Sequence, residues 1–479
     1  MGNTGLTSLL RFSIFIGTTV LVLSSCTLLS DHQPPKLDIP LDQPWPNSEA
    51  DIAPSVAWLE TFEDDALNTL VKTAISNNYN QKIAQTQVNA ARARARLAAG
   101  NYWPQISAGF NAARRQSTFD IGSGVQQNLN NSFGFSLASI SWEADIWGRI
   151  RDENKAAVLD YDAVRMDYHS ARLSLAANVA RQWFNAIEAK LQVALAEQTL
   201  ANFEASLKII DETYALGLNN ALDVHLARTN VANAESTLND QLAREDVIKR
   251  TLQILLGSYP KEPLNLPADL PDLSEPVPAG IPATLVERRP DVRAALARLD
   301  ASASRVDIAK KNRLPRLSLT GSTGTASDEL ENLTNIDFLV WTIAGNVAAP
   351  IFQGGKLKAN QELAATQSDA AFYQYANTVL NALVEVESRL FAEPLLLNQE
   401  RALERAVTES RAAEELAKEQ YGAGLVDIVT LLETQRRLFN SDSNLLRLRN
   451  QRLQNRIDLY LALGGEYLST PHAGSDPEE

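Results

Sequence analysis

The sequence predicts a mostly helical protein with a small β part, built from one unit that occurs twice. A helix-turn-helix motif at 212–218 (ETYALGL) recurs at 419–425 (EQYGAGL). The long stretches that lead into the two motifs, at 148–214 and 355–421, contain at most one proline each, which predicts two unusually long helices. After Pro104 and Pro315, apolar residues alternate with polar ones, which is the period of a β-strand. The recurrence of all these features in one order indicates a duplication.

Each predicted repeat contains an Ala-rich helical segment, two strands, a long helix and a return helix. In the first repeat (66–257) the strands are expected at about 104–118 and 132–145, the long helix at 148–215 and the return helix at 219–257. In the second (283–465) the corresponding bounds are about 315–327, 337–349, 355–422 and 426–463. The other segments are an extended N-terminal anchor (26–65), a Pro-rich linker (258–282) and a polar C-terminal tail (466–479). Each long helix would extend over roughly 100 Å, which exceeds an ordinary globular core.

The return helices carry a heptad pattern. In the second repeat Leu431, Leu438, Leu445 and Leu459 fall on one seven-residue register, with Arg452 as its one polar member. The first repeat has a similar row at the same offset, interrupted by a glutamate. A heptad repeat predicts coiled-coil packing, and the polar residues elsewhere predict a helical wall with water on both sides.

Four predicted strands cannot enter a membrane as an isolated sheet, because the edge strands would leave unpaired backbone groups in lipid. Exported transmembrane barrels have even strand numbers of at least eight. The pattern therefore predicts that several copies share one barrel, and three copies would supply twelve strands.

Composition excludes several classes of function. The 479 residues carry a formal net charge of −14 and a pI near 5.0, which argues against nucleic acid as a partner. One cysteine excludes an intramolecular disulfide and a metal site built from several cysteines. The four histidines lack the spacing of metal ligands, and neither a phosphate loop nor a nucleophile elbow is present. We expect the protein to have no enzymatic activity, no bound metal and no cofactor other than a covalent lipid.

The N-terminus predicts a lipoprotein signal peptide at 1–25. The apolar run at 12–23 is too short for a transmembrane helix and fits the hydrophobic region of a secretory signal. The sequence LSSC at 23–26 resembles a bacterial lipobox, which implies that Cys26 becomes lipidated and is the first mature residue. Thr27 stands where aspartate would favour retention in the inner membrane. The alternative is a plain signal peptide with an incidental cysteine.

Three motifs resemble TolC-like outer membrane efflux proteins, and in particular the lipoprotein branch that serves RND-type tripartite pumps. They are IPATLVERRPDVRAALARLDASASRVDIAKKNRLPRLSLTGS (281–322), SWEADIWGRIR (141–151) and PIFQGGKLKAN (350–360). The resemblance covers nearly the whole mature chain. It implies a homotrimer with a shared twelve-stranded β-barrel in the outer membrane lipid and a coiled-coil α-barrel crossing the periplasm. A periplasmic adaptor and an inner-membrane pump are the implied partners.

The resemblance also implies working residues in the duplicated motif. At the closed periplasmic aperture, Val429 would form an apolar ring, Glu433 an acidic ring and Arg436 its basic partner. Glu433 stands where aspartate is commoner in the family. The alternative is a surface pair between Glu433 and Arg436 at i, i+3 spacing. The implied hairpin tips and adaptor contacts are Tyr214, Gly217, Leu218, Tyr421, Gly424 and Leu425. Each tyrosine would either bond between coils or pack on its own helix end.

Two other functions fit parts of the pattern. The same fold serves as the exit duct of type I protein secretion, although the lipobox and the RRPD motif at 288–291 favour the pump branch. A periplasmic coiled-coil scaffold without a pore would also carry heptads, but it would not need the two segments of period two. The expected function is a passive outer membrane duct whose cargo is set by its pump.

Overall fold

A computed structural model gives the structure of the chain. It describes Pro35 and residues 58–120, 122, 124–217, 220–259, 264–273 and 288–465. The predicted signal peptide, Cys26, Leu218 and the tail at 466–479 lie outside the described residues. The chain divides into two compact units. One contains the described residues of Asn89–Ala163 and Ala295–Ala376, and the other those of Ile39–Val88, Val164–Ala294 and Asn377–Glu479.

The described elements are mostly helical and occur in the same order in each half. The helices are α1 (Asp65–Asn77), α2 (Tyr79–Gly100), α3 (Arg149–Ala215), α4 (Ala221–Leu255), α5 (Pro290–Lys311), α6 (Lys356–Gly422) and α7 (Ile428–Ala462). The strands are β1 (Gln105–Asp120), β2 (Val125–Ala144), β3 (Arg316–Ser327) and β4 (Leu339–Ala348). Short 3-10 helices occur at Glu60–Phe62, Leu330–Thr334 and Ile336–Phe338. None of the helices in these described ranges has an apolar stretch long enough to cross a membrane.

Equivalent helices in the two halves have equal lengths. Helices α3 and α6 have 67 residues each, and α4 and α7 have 35 residues each. Helices α2 and α5 have 22 residues each. Helices α3 and α6 start 207 residues apart (356 − 149), the same offset as between the motifs at 212–218 and 419–425, which we call the tip motifs. Helices α2 and α5 start 211 residues apart (290 − 79). The first half is therefore longer, by four positions, between the start of its first strand and the start of its long helix. Helix α6 contains Pro394 without an interruption in its helical assignment.

The first hairpin corrects the predicted strand bounds. The polar run after residue 118 was expected to be a loop, with the second strand starting near 132. Instead β1 continues to Asp120 and β2 starts at Val125, so the connection is short. It contains Gly122 with a φ of 77° and Gly124 with a φ of 137°. The Asn- and Gln-rich run at 125–131 pairs with β1, and Asn130, for example, lies opposite Arg115. This pairing gives the backbone N–H and C=O groups of the run their hydrogen-bond partners, whatever its side chains are.

The four strands form one antiparallel sheet in the order β1-β2-β3-β4. Strands β1 and β4 are its edges. Apolar side chains at alternate positions of β4 are exposed, including Trp341, Ile343 and Val347, and Ile106 and Phe110 of β1 are exposed as well. An exposed apolar surface on an open sheet marks a surface that is covered by lipid or by another molecule.

The core of the second unit lies around the middle of α3. Trp183 and Phe184 are fully buried there against Trp58 and Phe62 from the start of the described chain. The rings of Phe62 and Phe184 lie 5.2 Å apart between centroids. The indole Nε1 of Trp183 donates to the carboxylate of Asp64 at 2.6 Å. These contacts fix the chain segment that leads into α1.

Helix α7 is joined to α6 by ion pairs that include a buried one. Arg449 binds Glu400 at 3.1 Å and Glu404 at 3.0 Å. Arg452 binds the other oxygen of Glu400. Arg452 is only 6% exposed and Glu400 only 7%, so their charges are held away from water. Arg452, the one polar residue of the heptad row, thus contributes to the packing of α7 against α6.

Candidate functional site

The two helical hairpins end in left-handed glycines. Gly217 follows α3 with a φ of 78°, and Gly424 follows α6 with a φ of 73°. At the second tip the amide of Leu425 donates to the carbonyl of Gln420 at 2.9 Å, a bond that closes helices ending in a left-handed glycine. Because such a φ is strained for residues with a Cβ, these glycines allow each long helix to stop and reverse.

Each return helix starts with a side-chain cap that the sequence reasoning missed. At α4 the side chain of Asn220 accepts from the amide of Asp223 at 3.0 Å, and the Asp223 carboxylate accepts from the amide of Asn220. At α7 the carboxylate of Asp427 accepts from the amide of Thr430 at 2.9 Å and from its hydroxyl at 2.7 Å. These bonds hold the pKa of Asp427 below its ordinary value. The Asn-x-x-Asp spacing is a recognisable capping signal.

The two hairpins share one apolar cluster. Ile210 and Val224 from the first hairpin are buried in it with Ile428 and Leu431 from the second. Tyr421 packs against the same cluster. The tips are therefore held by side chains from both repeats, which couples the position of one hairpin to that of the other.

Two other predicted tip residues are exposed. Tyr214 is about half exposed, and Leu425 is 74% exposed. An isolated exposed leucine is common on protein surfaces, but Leu425 stands at the end of a hairpin, just before the buried Ile428 of the shared cluster. It is therefore available to another molecule. The role of each tip residue in adaptor contact stays a prediction.

The predicted gate residues lie together on the first turns of α7. Val429 is 54% exposed, and Glu433 follows one turn later at i+4, on the same side of the helix. The Glu433 carboxylate binds the guanidinium of Arg436. It also binds Arg437 at 3.4 Å, a second cation that the sequence reasoning missed although its i+4 spacing was visible.

The two arginines favour the ionised form of Glu433. The hydrogen bond from Arg436 is the main cause that lowers the pKa of this carboxyl below its ordinary value, and Arg437 acts in the same direction. Glu433 is therefore a carboxylate at neutral pH. Because one carboxylate binds two guanidinium groups, Glu433, Arg436 and Arg437 together carry a net positive charge. The arrangement suits both a closed aperture and a simple surface pair, so the gate role stays a prediction.

The first return helix lacks these charges. The positions equivalent to Val429, Glu433 and Arg436 are occupied by Leu222, Leu226 and Thr229, at the same offset that relates the two tip motifs. The candidate gate chemistry therefore occurs once per chain although its backbone motif occurs twice. In the described part of the chain, no group of three or more His, Cys, Asp or Glu residues is placed to hold a metal ion.

Comparison with known proteins decides the family. The model of the outer membrane efflux protein family matches residues 70–258 and 281–465, one match for each half. The chain belongs to this family. This match, together with the similar efflux pump proteins and solved channels, confirms the predicted fold class and the predicted function as an outer membrane efflux channel.

Individual relatives of this efflux protein agree over almost its whole length. It is 32% identical to the solvent efflux pump outer membrane protein SrpC of Pseudomonas putida over 460 residues, which cover 93% of this chain and 96% of SrpC. It is 30% identical to the outer membrane protein OprJ of Pseudomonas aeruginosa, covering 93% and 94% of the two chains. The solved CmeC outer membrane channel of Campylobacter jejuni matches with a TM-score of 0.83 at 25% identity, covering 92% of this chain and 94% of CmeC.

The left-handed glycine of the second tip supports a direct test. Gly424→Ala is expected to destabilise the tip of this efflux protein by about 1 kcal/mol, because its φ of 73° places a Cβ against the backbone. Hydrogen exchange of the amides at the end of α6 would measure the loss as faster exchange. Gly422→Ala is the matched control, since both positions have space for a Cβ but Gly422 lies within α6 and lacks the left-handed φ of Gly424. Equal exchange in the two variants would contradict the assignment.

Proposed function

We propose that this efflux protein is the exit duct of a tripartite system and works as a homotrimer. Three chains would close a twelve-stranded barrel in the outer membrane, and their long helices would form a tunnel through the periplasm. An RND-type inner-membrane pump and a periplasmic adaptor would deliver cargo, which passes through the duct without being chemically changed. The efflux pump relatives favour this reading over protein secretion.

The open four-stranded sheet is the observation that carries the proposal. Its edge strands, β1 and β4, each pair with one neighbouring strand and have no strand on their outer side within the described residues. Its exposed apolar side chains are suited to lipid, yet an open sheet cannot enter lipid with unpaired edges. Pairing β4 of one chain with β1 of the next satisfies both edges at once. Two chains would already supply eight strands, the smallest number in exported barrels, and three chains supply the twelve that the family resemblance implies.

The candidate gate fits the same assembly. In a trimer, Val429 and the Glu433 pair would recur three times around the axis where the hairpins converge. Carboxylates that approach one another at a pore axis repel, and Arg436 and Arg437 would offset this repulsion within each chain. An adaptor that contacts the exposed tip residues, such as Leu425, could shift the hairpins and open the aperture.

A lipid on Cys26 would add a second anchor to the outer membrane. The lipobox-like sequence LSSC and the absence of any other cysteine support this assignment. Intact-mass measurement of the mature protein should give the mass of a chain starting at Cys26 with attached acyl groups. A chain that retains residues before Cys26, or that lacks the added mass, would contradict it.

Channel recording and crosslinking test the proposal as a whole. Purified full-length protein, reconstituted in planar lipid bilayers, should produce discrete channels, and chemical crosslinking in membranes should yield trimers. Monomers alone in the crosslinking experiment would overturn the shared barrel. Trimers without any conductance, even with the gate variants described below, would favour a scaffold without a pore.

A further inference from the structure

The two halves of the chain can be compared where each sheet strand passes into a long helix. Strand β2 leads into α3 through Gly148, and β4 leads into α6 through Gly355. These glycines have left-handed φ values of 75° and 82°, and the helix begins at the next residue in both halves. From these glycines onward the two helices can be matched residue by residue at the same offset as the tip motifs. The connection from strand to helix is longer in the second half, with seven residues (349–355) against four (145–148).

The first junction neutralises its own positive charge. Arg149 binds Glu143 at 2.9 Å and also binds Glu153. The carboxylate of Asp145 accepts two backbone N–H groups in the first turn of α3, at 3.0 and 2.9 Å. Asp152 adds another carboxylate in the same turn. The positive end of the helix and its arginine are thus paired within the chain.

The second junction has lost all of these carboxylates. On the helix, the positions of Asp152 and Glu153 are occupied by Ala359 and Asn360, and neither β4 nor the connection at 349–355 contains an Asp or Glu. The cation is retained as Lys356, in place of Arg149. Helix α6 has no acidic residue in its first turn. Lys356 therefore stands at the positive end of a helix without the partners that its counterpart has.

A cavity lies beside Lys356 in the second junction. In the first half the indole of Trp142 on β2 donates to the carbonyl of Tyr102, in the connection between α2 and β1, at 2.9 Å. In the second junction the residues at the end of β4 that face α6 are the small Ala348 and Ala349. A cleft of about 560 Å³ lies there, lined by residues that include Lys356 and Arg316. That volume falls within the range of small-molecule sites.

The lining of the cleft has two cations and no carboxylate. Its polar members are Asn312, Arg316, Gln353, Lys356 and Asn360. The guanidinium of Arg316 bonds to the neutral amide oxygen of Asn312, at 2.7 Å. Among the described residues no carboxylate lies within 4.0 Å of the charged nitrogens of Arg316 or Lys356, although such pairs occur throughout the chain. In a protein with a net charge of −14, this cleft is a local site of unneutralised positive charge.

The cleft opens on the polar face of the sheet. Arg316 of β3 and Ala348 of β4 are register partners, and both line the cleft. Their neighbours Leu317 and Val347 point to the other face, because side chains alternate along a strand. Val347 is exposed on that apolar face with the other large side chains of β4. The cleft is therefore on the side away from the surface suited to lipid.

We propose that this cleft binds an oxyanion, the carboxylate or phosphate group of a small molecule. Lys356 and Arg316 supply charged donors, and the amides of Asn312, Gln353 and Asn360 supply further donors. Arginine and lysine bind carboxylate and phosphate oxygens through short charge-assisted bonds. The placement of this site inside the duct rests on the proposed function, whereas the binding itself does not. A trimer would hold three such sites on the polar side of its barrel.

Calorimetric titration of the full-length protein in a non-ionic detergent, with inorganic phosphate as the probe, tests the site. The wild type should bind phosphate saturably. The R316Q/K356Q double variant should bind at least about tenfold more weakly, because each lost charged hydrogen bond costs that much or more. N360E, which restores the carboxylate that Glu153 provides in the first junction, should weaken binding to a similar extent, about tenfold, without removing a cation.

The matched control is Lys358→Gln. Lys358 lies two residues further along α6, pairs with Glu362 at 3.7 Å and does not line the cleft. Its variant should bind phosphate within about twofold of the wild type. Equal binding by wild type and R316Q/K356Q, or no saturable binding by the wild type, would overturn the site.

Two further measurements identify the source of the anion and distinguish the anion site from the proposed duct function. A soluble short-chain phosphatidylglycerol that displaces phosphate would identify a lipid headgroup as the ligand, and failure to displace it would identify a free solute. Channel recordings on the same preparation report the proposed function independently. Conducting channels without phosphate binding would sink this site and leave the duct intact.

Discussion

Replacing Val429 and Glu433 together with alanine is expected to raise the single-channel conductance of the reconstituted protein at least about twofold. The change removes the exposed apolar side chain and the carboxylate that binds Arg436 and Arg437 on the same turns of α7. Without these groups the aperture would lose both its apolar constriction and its charge pairing, and the arginines would repel one another. Planar bilayer recordings of the two proteins at equal salt would measure the difference.

The control for this experiment is Asp246→Ala, which breaks an exposed ion pair on another helix. Asp246 binds Arg250 at 2.6 Å on α4, and both side chains are exposed. Its loss should leave the conductance unchanged. If the Val429 and Glu433 variant also conducts like the wild type, the Glu433 pair is a surface feature of α7 and the aperture lies elsewhere.

Replacing Glu400 with alanine is expected to destabilise the protein by about 3–5 kcal/mol. The substitution leaves the guanidinium of Arg452 buried without its carboxylate, whereas Arg449 keeps Glu404 at 3.0 Å. An uncompensated buried charge is among the most costly changes that one substitution can make. Guanidinium-induced unfolding in detergent, followed by far-UV circular dichroism, would report the change as a lower midpoint.

A second variant separates the buried charge from lost packing. Changing both Glu400 and Arg452 to leucine removes the two charges together, and it should recover most of the stability lost in Glu400→Ala. Asp246→Ala again serves as the exposed comparison and should lower the unfolding midpoint much less than Glu400→Ala does. A Glu400→Ala protein as stable as the Asp246→Ala protein would contradict the importance of the buried pair.

The long-range repetition made the fold predictable, because a duplicated unit carries its own internal evidence. Helix ends were predictable where a residue has one physical role, as with Gly217 and Gly424. The first hairpin turn was predicted wrongly, because a polar Asn- and Gln-rich run indicates a loop by composition. Its strand state depends on pairing with β1, and no local pattern reveals that pairing.

The candidate site was predictable only where its residues lie close together on one helix. The spacing of Glu433 and Arg436 on one helix is visible in sequence, and the structure brings the two together. The partner of Arg452 was not visible, because Glu400 lies on another helix, far from it along the chain. The cationic cleft was also missed. It emerges only when the start of β3, the end of β4 and the first turns of α6 are brought together, with two cations and no carboxylate among them.

The equal helix lengths of the two halves restrict where the chain can gain or lose residues. A single insertion within α3 would turn everything after it by about 100° about the helix axis and move it by about 1.5 Å. Side chains that now meet the apolar cluster at the tips would then face water, while the unaltered hairpin kept its place. The difference in length between the halves lies in the strands and their connections, outside every long helix. Changes of length are thus tolerated among the strands and excluded from the coils, so the two long helices and their return helices stay matched turn for turn.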